Sequence, residues 1–304
     1  MNIKKVVKFS FIIMAFIILV ITLINTVVIY QIKENNQTKQ AINDLVSMQE
    51  KMNELLKDTT LVTSLDELES KKASFIKYEL EFEEIEKIFS LRDENDFVDF
   101  FISDIHKDKI ISSKLNLLYE SEKQIEEAFD TIYELEKEKI NLKNQFDIDY
   151  PIENDIRKSL DLKIQELKDY ELYRLFSDVK YYSKETLYQY RNQITLDKWL
   201  KKIELFKEKY NHQEIDEYKQ IVTKVGNQVV LLKNIEDKED DLRSKIYNVV
   251  NQNKIYSSEI EKKIVELSTN FINLTYFAIL LLVVLIILFI TILGYKVYKN
   301  VGLS

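Results

Sequence analysis

Cysteine is absent from the 304 residues, and glycine and proline nearly so, at three and one. Without cysteine there is no disulfide, no thiolate metal ligand and no cysteine nucleophile, and the redox compartment is left open. Gly226, Gly294 and Gly302 stand far apart, so no phosphate-cradling loop or dinucleotide fingerprint can be written. A sheet protein of this length needs many tight turns, and tight turns consume glycine and proline. Histidine is nearly as scarce, with only His106 and His212, both read as ordinary surface or core residues. No nucleophile–base pair can be assembled from what remains. No catalytic residue, metal site or cofactor is therefore expected, and the chain is not expected to be an enzyme.

What is present is charge, at 31% of residues, together with abundant lysine, glutamate, leucine and isoleucine. That balance predicts an all-α protein of long helices joined by few loops. The charge is unevenly placed. None interrupts "FSFIIMAFIILVITLINTVVIYQI" between Lys8 and Lys33, nor "LSTNFINLTYFAILLLVVLIILFITILGY" between Glu266 and Lys296. Twenty-odd residues at helical rise cover a hydrocarbon core of about 30 Å. Residues 9–30 and 272–295 are thus the expected transmembrane helices. The first is too long for a signal peptide and lacks a small-residue cleavage site near Tyr30, so an uncleaved anchor is favoured.

Lys4, Lys5 and Lys8 flank one span and Lys296 and Lys299 the other, with no acid beside them. The positive-inside rule then places both termini, 1–8 and 296–304, in the cytoplasm, and tyrosines 30, 276, 295 and 298 fit an interfacial belt. The expected location is a bacterial cytoplasmic membrane crossed twice, with residues 31–271 outside it. Of 43 basic residues, five flank the spans, leaving 38 against 51 acidic ones and a net charge of −13 in the loop. Nucleic acid is not an expected partner of such a surface.

The loop reads as an elongated helical bundle of about six long segments. Leu242, Ile246, Val249, Asn253, Tyr256, Ile260, Ile264, Leu267 and Phe271 form one stripe running into the second span. Asn253 interrupts it, either setting register between packed helices or sitting at a wet position. Ile111, Leu115, Leu118, Ile125, Phe129, Ile132, Leu135, Leu142 and Phe146 mark a second helix. Ser64 and Glu67 are spaced as a capping box ahead of Leu65, Leu68, Phe75, Phe82 and Phe89. Pro151 is expected at a turn and first helical position, opening a helix that runs to about Asn192. "NQITLD" is expected to break the chain before a helix carrying Trp199, Ile203 and Phe206. Gly226 points to a local loosening or a close helix contact. "EDKEDD", Glu236 to Asp241, is read as an acidic helix start, and "YELEFEEIEKIF" as a solvated face.

Three stretches carry a resemblance. "LRDENDFVDFF" (Leu91 to Phe101) resembles the R-x-x-E-K-D-F-L signature of helical sensor domains in bacterial chemoreceptors and sensor histidine kinases. Arg92, Glu94, Asp96 and Phe97 stand near the matching positions. "FSDVKYYSKETLYQY" is a poorer echo, with Lys180 and Tyr182, and "DLRSKIYNVV" is similar to the segment opening the family's last helix, through Leu242, Arg243, Asn248 and Val249. Their order agrees with helical bimodular sensor domains. The resemblance implies two stacked four-helix modules, a homodimer, and binding of a small organic acid or a solute-binding protein. It also implies a HAMP linker and a kinase or chemotaxis output, of which "KVYKNVGLS" looks like the first residues.

Five arginines stand among 38 lysines, and arginine's planar fork suits carboxylate capture. Arg92 and Arg243 fall in the family-like motifs. Arg174 and Arg191 flank a tyrosine-rich run whose Tyr181 and Tyr182, with neighbouring tyrosines, are expected to line a pocket. These six are the candidate ligand-binding residues; the alternative is that they pack bundle seams and bridge helices. The function expected is a transmembrane signal-sensing receptor subunit. A membrane-anchored coiled-coil scaffold without a ligand is the main alternative. A membrane-damaging helical toxin is a third reading, weakened by the lysine flanks.

Overall fold

The computed structural model describes residues 3–90 and 108–301; Arg92, His106 and the Leu91–Phe101 motif lie outside them. Every regular element among these residues is helical, so the fold class is all-α. The elements are α1 (Ile3–Thr59), α2 (Leu65–Ser90), α3 (Lys109–Leu167), α4 (Tyr170–Lys184) with a π-helical turn (Glu185–Gln189), α5 (Gln193–Lys209) and α6 (Gln213–Val301).

The breaks are made by caps rather than by glycine. After α1 the Ser64 hydroxyl accepts the Glu67 N–H at 3.3 Å, while the Glu67 carboxylate accepts the Thr63 N–H at 3.0 Å. The expected capping box is present, its return arm displaced by one residue. Asp108 caps α3 through the N–H groups of Ile110 and Ile111 at 2.9 and 3.2 Å. Asp169 and Asn192 do the same for α4 and α5. Lys168 and Arg191 precede those caps in the left-handed region, at φ 54° and 51°. Such a conformation usually selects glycine, which this chain scarcely has.

Four helix readings are corrected, one being the helix expected to run from Pro151 to about Asn192, which breaks at Lys168 and Asp169. Pro151 does not open a helix after a turn; it lies inside the 59-residue α3. The missing N–H leaves only the Asp147 carbonyl unbonded, and Asp147 is exposed to water. The break expected in "NQITLD" lies just before it, with Asn192 already the cap of α5. Likewise "EDKEDD" is not a helix start but sits deep within the 89-residue α6. Both chain-terminal helices are otherwise as expected, each running unbroken from an apolar span into the loop region.

The chain divides into two compact units, and α1, α2, α3 and α6 contribute to both. Unit 1 comprises Met1–Glu50, Glu79–Glu122 and Val250–Ser304. Its seam is built from Ile42 and Leu45 of α1, Phe82 of α2, Leu115 and Leu118 of α3, and Val250, Ile260 and Ile264 of α6, all buried. Asn253 is fully buried among them: its amide donates to Gln49 Oε1 at 2.8 Å, and its oxygen lies 2.9 Å from the Ser121 hydroxyl. Gln49 in turn donates to the Leu118 carbonyl at 2.8 Å. Of the two readings of Asn253, the register-setting one holds. In the same unit the two apolar segments lie side by side, Ile13 and Ile17 near Phe289 and Ile286. Both helices are long and apolar enough to cross a membrane.

Unit 2 comprises Lys51–Tyr78 and Lys123–Val249. Its main core gathers Leu160 and Ile164 of α3, Phe176 and Val179 of α4, Leu196, Trp199, Ile203 and Phe206 of α5, and Ile215, Tyr218, Val222 and Val225 of α6. Phe75 of α2 stacks on Phe129 of α3 with ring centroids 3.9 Å apart. Gly226 is the close contact: a Cβ there would lie 2.2 Å from Leu196 Cδ1.

Two measurements test this packing. Gly226→Ala gains about 1 kcal/mol of helix propensity but overpacks a filled core, a cost of about 1–3 kcal/mol, so it should be net destabilising. In a Leu196→Ala background the same change should stabilise. Urea unfolding of the full chain in detergent micelles, followed by the fluorescence of Trp199, the single tryptophan, reads both. In unit 1, Asn253→Ala should cost about 1–3 kcal/mol by leaving Gln49 and Ser121 without their partner. Amide exchange around Leu118 should accelerate in that variant.

Candidate functional site

A helical stripe that faces a core normally excludes carboxylates, because each buried charge loses several kcal/mol of hydration unless paired. The inward stripe of α3 in unit 2 carries three: Glu136, Asp149 and Glu153, exposed by 0%, 4% and 0%. Each is answered from α6 or from its own helix.

Asp149 accepts from Lys224 Nζ at 2.8 Å and from Gln228 Nε2 at 2.7 Å. Burial alone would raise its pKa, but those two bonds outweigh it and hold the carboxyl below its usual value. Glu153 Oε1 accepts from Arg157 Nε and from the Tyr218 hydroxyl, both at 3.0 Å. Here burial wins, and the Glu153 pKa is raised despite both donors. Burial pushes the Tyr218 phenol far up as well, so it stays a hydrogen-bond donor at all ordinary pH. The Tyr150 and Tyr188 hydroxyls are hydrogen-bonded to each other; although Tyr188 as a whole is exposed, partial desolvation of its hydroxyl end and then the bond to Tyr150 raise it to about 12. Tyr188 of the π-helical turn is thus bonded to Tyr150, and beside that pair a second polar group joins Arg157, Glu153 and Tyr218.

The sequence-selected residues are dispersed. Arg92 is outside the described residues. Arg174 is exposed on α4 and makes no ion pair among the described residues. Tyr181, 57% exposed, meets Tyr182 edge to face at 5.2 Å, and its hydroxyl bonds Glu185, which raises its pKa. Tyr182 is half-buried, with Lys198 and Lys202 each 6.0 Å from its ring centroid. Tyr170, Tyr173, Tyr188 and Tyr190 are exposed too, so the tyrosine-rich run forms a surface rather than the expected pocket lining. Arg191 spends its fork on Glu236 of α6, at 2.8 and 3.0 Å. That bidentate pair holds Arg191 in its left-handed conformation.

Arg243 is the candidate with open space beside it. With Asp240, Ser244 and Tyr247 of α6 and Asn53, Leu56 and Lys57 of α1, it lines a groove of about 410 Å³. The guanidinium pairs with Asp240 and donates to Thr60 Oγ1 at 3.3 Å. Asp240 is 64% exposed, so water readily replaces it as a partner. The groove offers two cations, an amide, a hydroxyl and a phenol to an anionic ligand. Arg157 and its network were not singled out from the sequence. The signal was there, since Glu153 falls in step with Leu160 and Ile164 on an apolar stripe. No family model, no curated protein and no solved structure matches the chain.

Arg157→Met tests the network. It leaves Glu153 buried with one donor and should destabilise unit 2 by about 3–5 kcal/mol at pH 8. The folded pKa of Glu153 should climb further above its unfolded value. The variant's deficit should therefore shrink as the pH falls toward 5, where the carboxyl is protonated in the folded state. Urea unfolding followed at Trp199 at the two pH values measures this.

Proposed function

We propose that the chain is a transmembrane signal-sensing receptor subunit. In this reading α1 and α6 cross the membrane, and the helical units between the spans take up a small carboxylate or a partner protein outside it. The observation that carries the reading is the continuity of α6, a single helix from Gln213 to Val301. It bears Arg243 at the groove and the second apolar segment on one rod. A ligand favouring one arrangement of the groove would bias that rod as a whole, and a continuous helix carries a shift along its axis without a hinge. A small carboxylate suits Arg243 because it would replace Asp240 in the guanidinium fork and draw on Lys57. Homodimerisation and a cytoplasmic kinase or chemotaxis output belong to the same proposal, and rest on the resemblance at Leu242, Arg243, Asn248 and Val249.

One observation favours the scaffold reading instead. Arg157, Arg191 and Arg243 are all engaged by carboxylates of the chain itself. Pairing within the chain, to another helix for Arg191 and along the same helix for Arg157 and Arg243, then accounts for these arginines without a ligand.

Titration calorimetry of the full chain in nanodiscs with mono- and dicarboxylates separates the two. The receptor reading expects binding heat from at least one acid, lost in Arg243→Ala while unfolding at Trp199 stays cooperative. No heat from any acid would leave the scaffold. Reporter fusions at the two termini should register the same compartment; opposite compartments would sink the two-span topology.

A further inference from the structure

One cluster in unit 2 has charges that do not balance. Glu136 of α3 and Glu239 of α6 are exposed by 0% and 2%. Lys139 Nζ lies 2.8 Å from Glu136 Oε1 and 2.9 Å from Glu239 Oε2, and 3.4 Å from the Thr60 carbonyl. The other two carboxylate oxygens, Glu136 Oε2 and Glu239 Oε1, are buried and accept from no donor among the described residues. Two carboxylates therefore meet one ammonium in a place that water does not reach, and the carboxyls lie within hydrogen-bonding reach of each other.

The surrounding charges do not supply the missing cation. On α6, Arg243 is taken by Asp240 and Thr60, and Lys233 by Asp237. Arg191, ahead of α5, is taken by Glu236. On α2, Glu69 bonds the Tyr133 hydroxyl and Lys72 sits 4.3 Å over that ring. Among the described residues, Lys139 is the one cation bonded to either buried acid.

We propose that Glu136 and Glu239 form a proton-binding site, sharing one proton while Lys139 neutralises the remaining charge. The proton comes from solvent and makes an O–H bond to one carboxylate, which donates to the other. Its loss returns it to water and leaves an uncompensated negative charge between α3 and α6. A sodium or potassium ion is a poorer occupant, since it needs more oxygen ligands than the two open ones here. Burial first, and the neighbouring Glu136 charge after it, push the Glu239 pKa up to about 7, against the pull of Lys139. The site is a property of unit 2 and stands whether or not the chain is a receptor.

The sign of the linkage is fixed. A carboxyl whose folded pKa exceeds its unfolded value contributes stability that is fully present below the unfolded pKa and lost as pH rises through about 7. The full chain in nanodiscs is followed from pH 5.5 to 8.5 by infrared difference spectroscopy and thermal melting. The wild-type protein should lose a protonated-carboxyl C=O band with a midpoint near 7. Glu239→Gln should lack that band, and Glu136→Gln should lack it as well, because a lone carboxylate beside Lys139 ionises. The wild-type melting point should fall by about 4 °C across the range, and Glu239→Gln should flatten that fall and melt higher at pH 8. Absence of the wild-type band overturns the proposal even if neither variant folds. So does a band of unchanged amplitude in Glu239→Gln, or an unaltered pH slope of melting.

Discussion

The structure depends on buried carboxylates of α3 finding their donors on α6. Apolar stripes alone fix which faces of two long helices meet, but they fix register poorly. A slip of one turn, about 5.4 Å, replaces one aliphatic contact by another. The same slip would strand Asp149 without Lys224 and Gln228 and take Tyr218 from Glu153, while Arg157 and Lys139, on α3 itself, would stay with Glu153 and Glu136. A stranded buried charge such as Asp149 costs several kcal/mol, a large part of a domain's net stability. Unit 2 is therefore specified by polar groups within its core, and its aliphatic residues supply the adhesion.

In unit 1 the buried polar layer is neutral, and charged pairs such as Lys254–Glu50 and Lys114–Glu259 join its helices nearer the surface. Gln49, Ser121 and Asn253 close a neutral hydrogen-bonded layer across α1, α3 and α6. Neutral amides cost less to bury than ions and do not titrate. A pH change that alters the charge between α3 and α6 at Glu136 and Glu239 leaves this layer untouched. The two units thus use chemically different locks on the same helices, one responsive to protons and one indifferent to them.

The helical class, the long terminal helices, the Ser64 cap and the seam around Asn253 were legible in the sequence, because each rests on spacing within one helix. What escaped was decided between helices. The stripe of α3 was read through Leu135 and Leu142, whereas the core follows Ile132, Glu136 and Ile140. An acid was passed over in favour of the nearest leucine. The same preference hid Glu239, between Ile235 and Ile246. Pro151 was read as a boundary because proline usually ends a helix. The pairs at Asp149 and Glu153, on either side of it, carry the helix through. The arginines were read for their ligand chemistry, which is correct for the side chain, but nothing in the order of residues reveals that Glu236 is waiting for Arg191. The tyrosine-rich run was likewise read as a pocket lining, because nothing in it tells which side of α4 faces water.

The placement of the two apolar segments follows from where adhesion is available. Inside a bilayer, lipid tails are as apolar as leucine and isoleucine, so burying Ile13, Ile17, Ile286 and Phe289 against one another gains little over contact with lipid. Apolar contact alone gives these segments little to fix one register. Their alignment must be set where water makes burial favourable, on the stretches of α1 and α6 that continue past the apolar runs. There the polar contacts begin: Gln31 donates to Asn35, Asn43 donates to Glu261, Ser257 reaches Asn43, and Asn253 reaches Gln49. The last three tie α1 to α6 in the first compact unit. A shift at these contacts would therefore meet little resistance from the spans themselves, which would slide in lipid at small cost. In the receptor reading proposed above, weakly held spans driven by a well-specified polar seam would let a conformational bias outside a membrane move a helix through it.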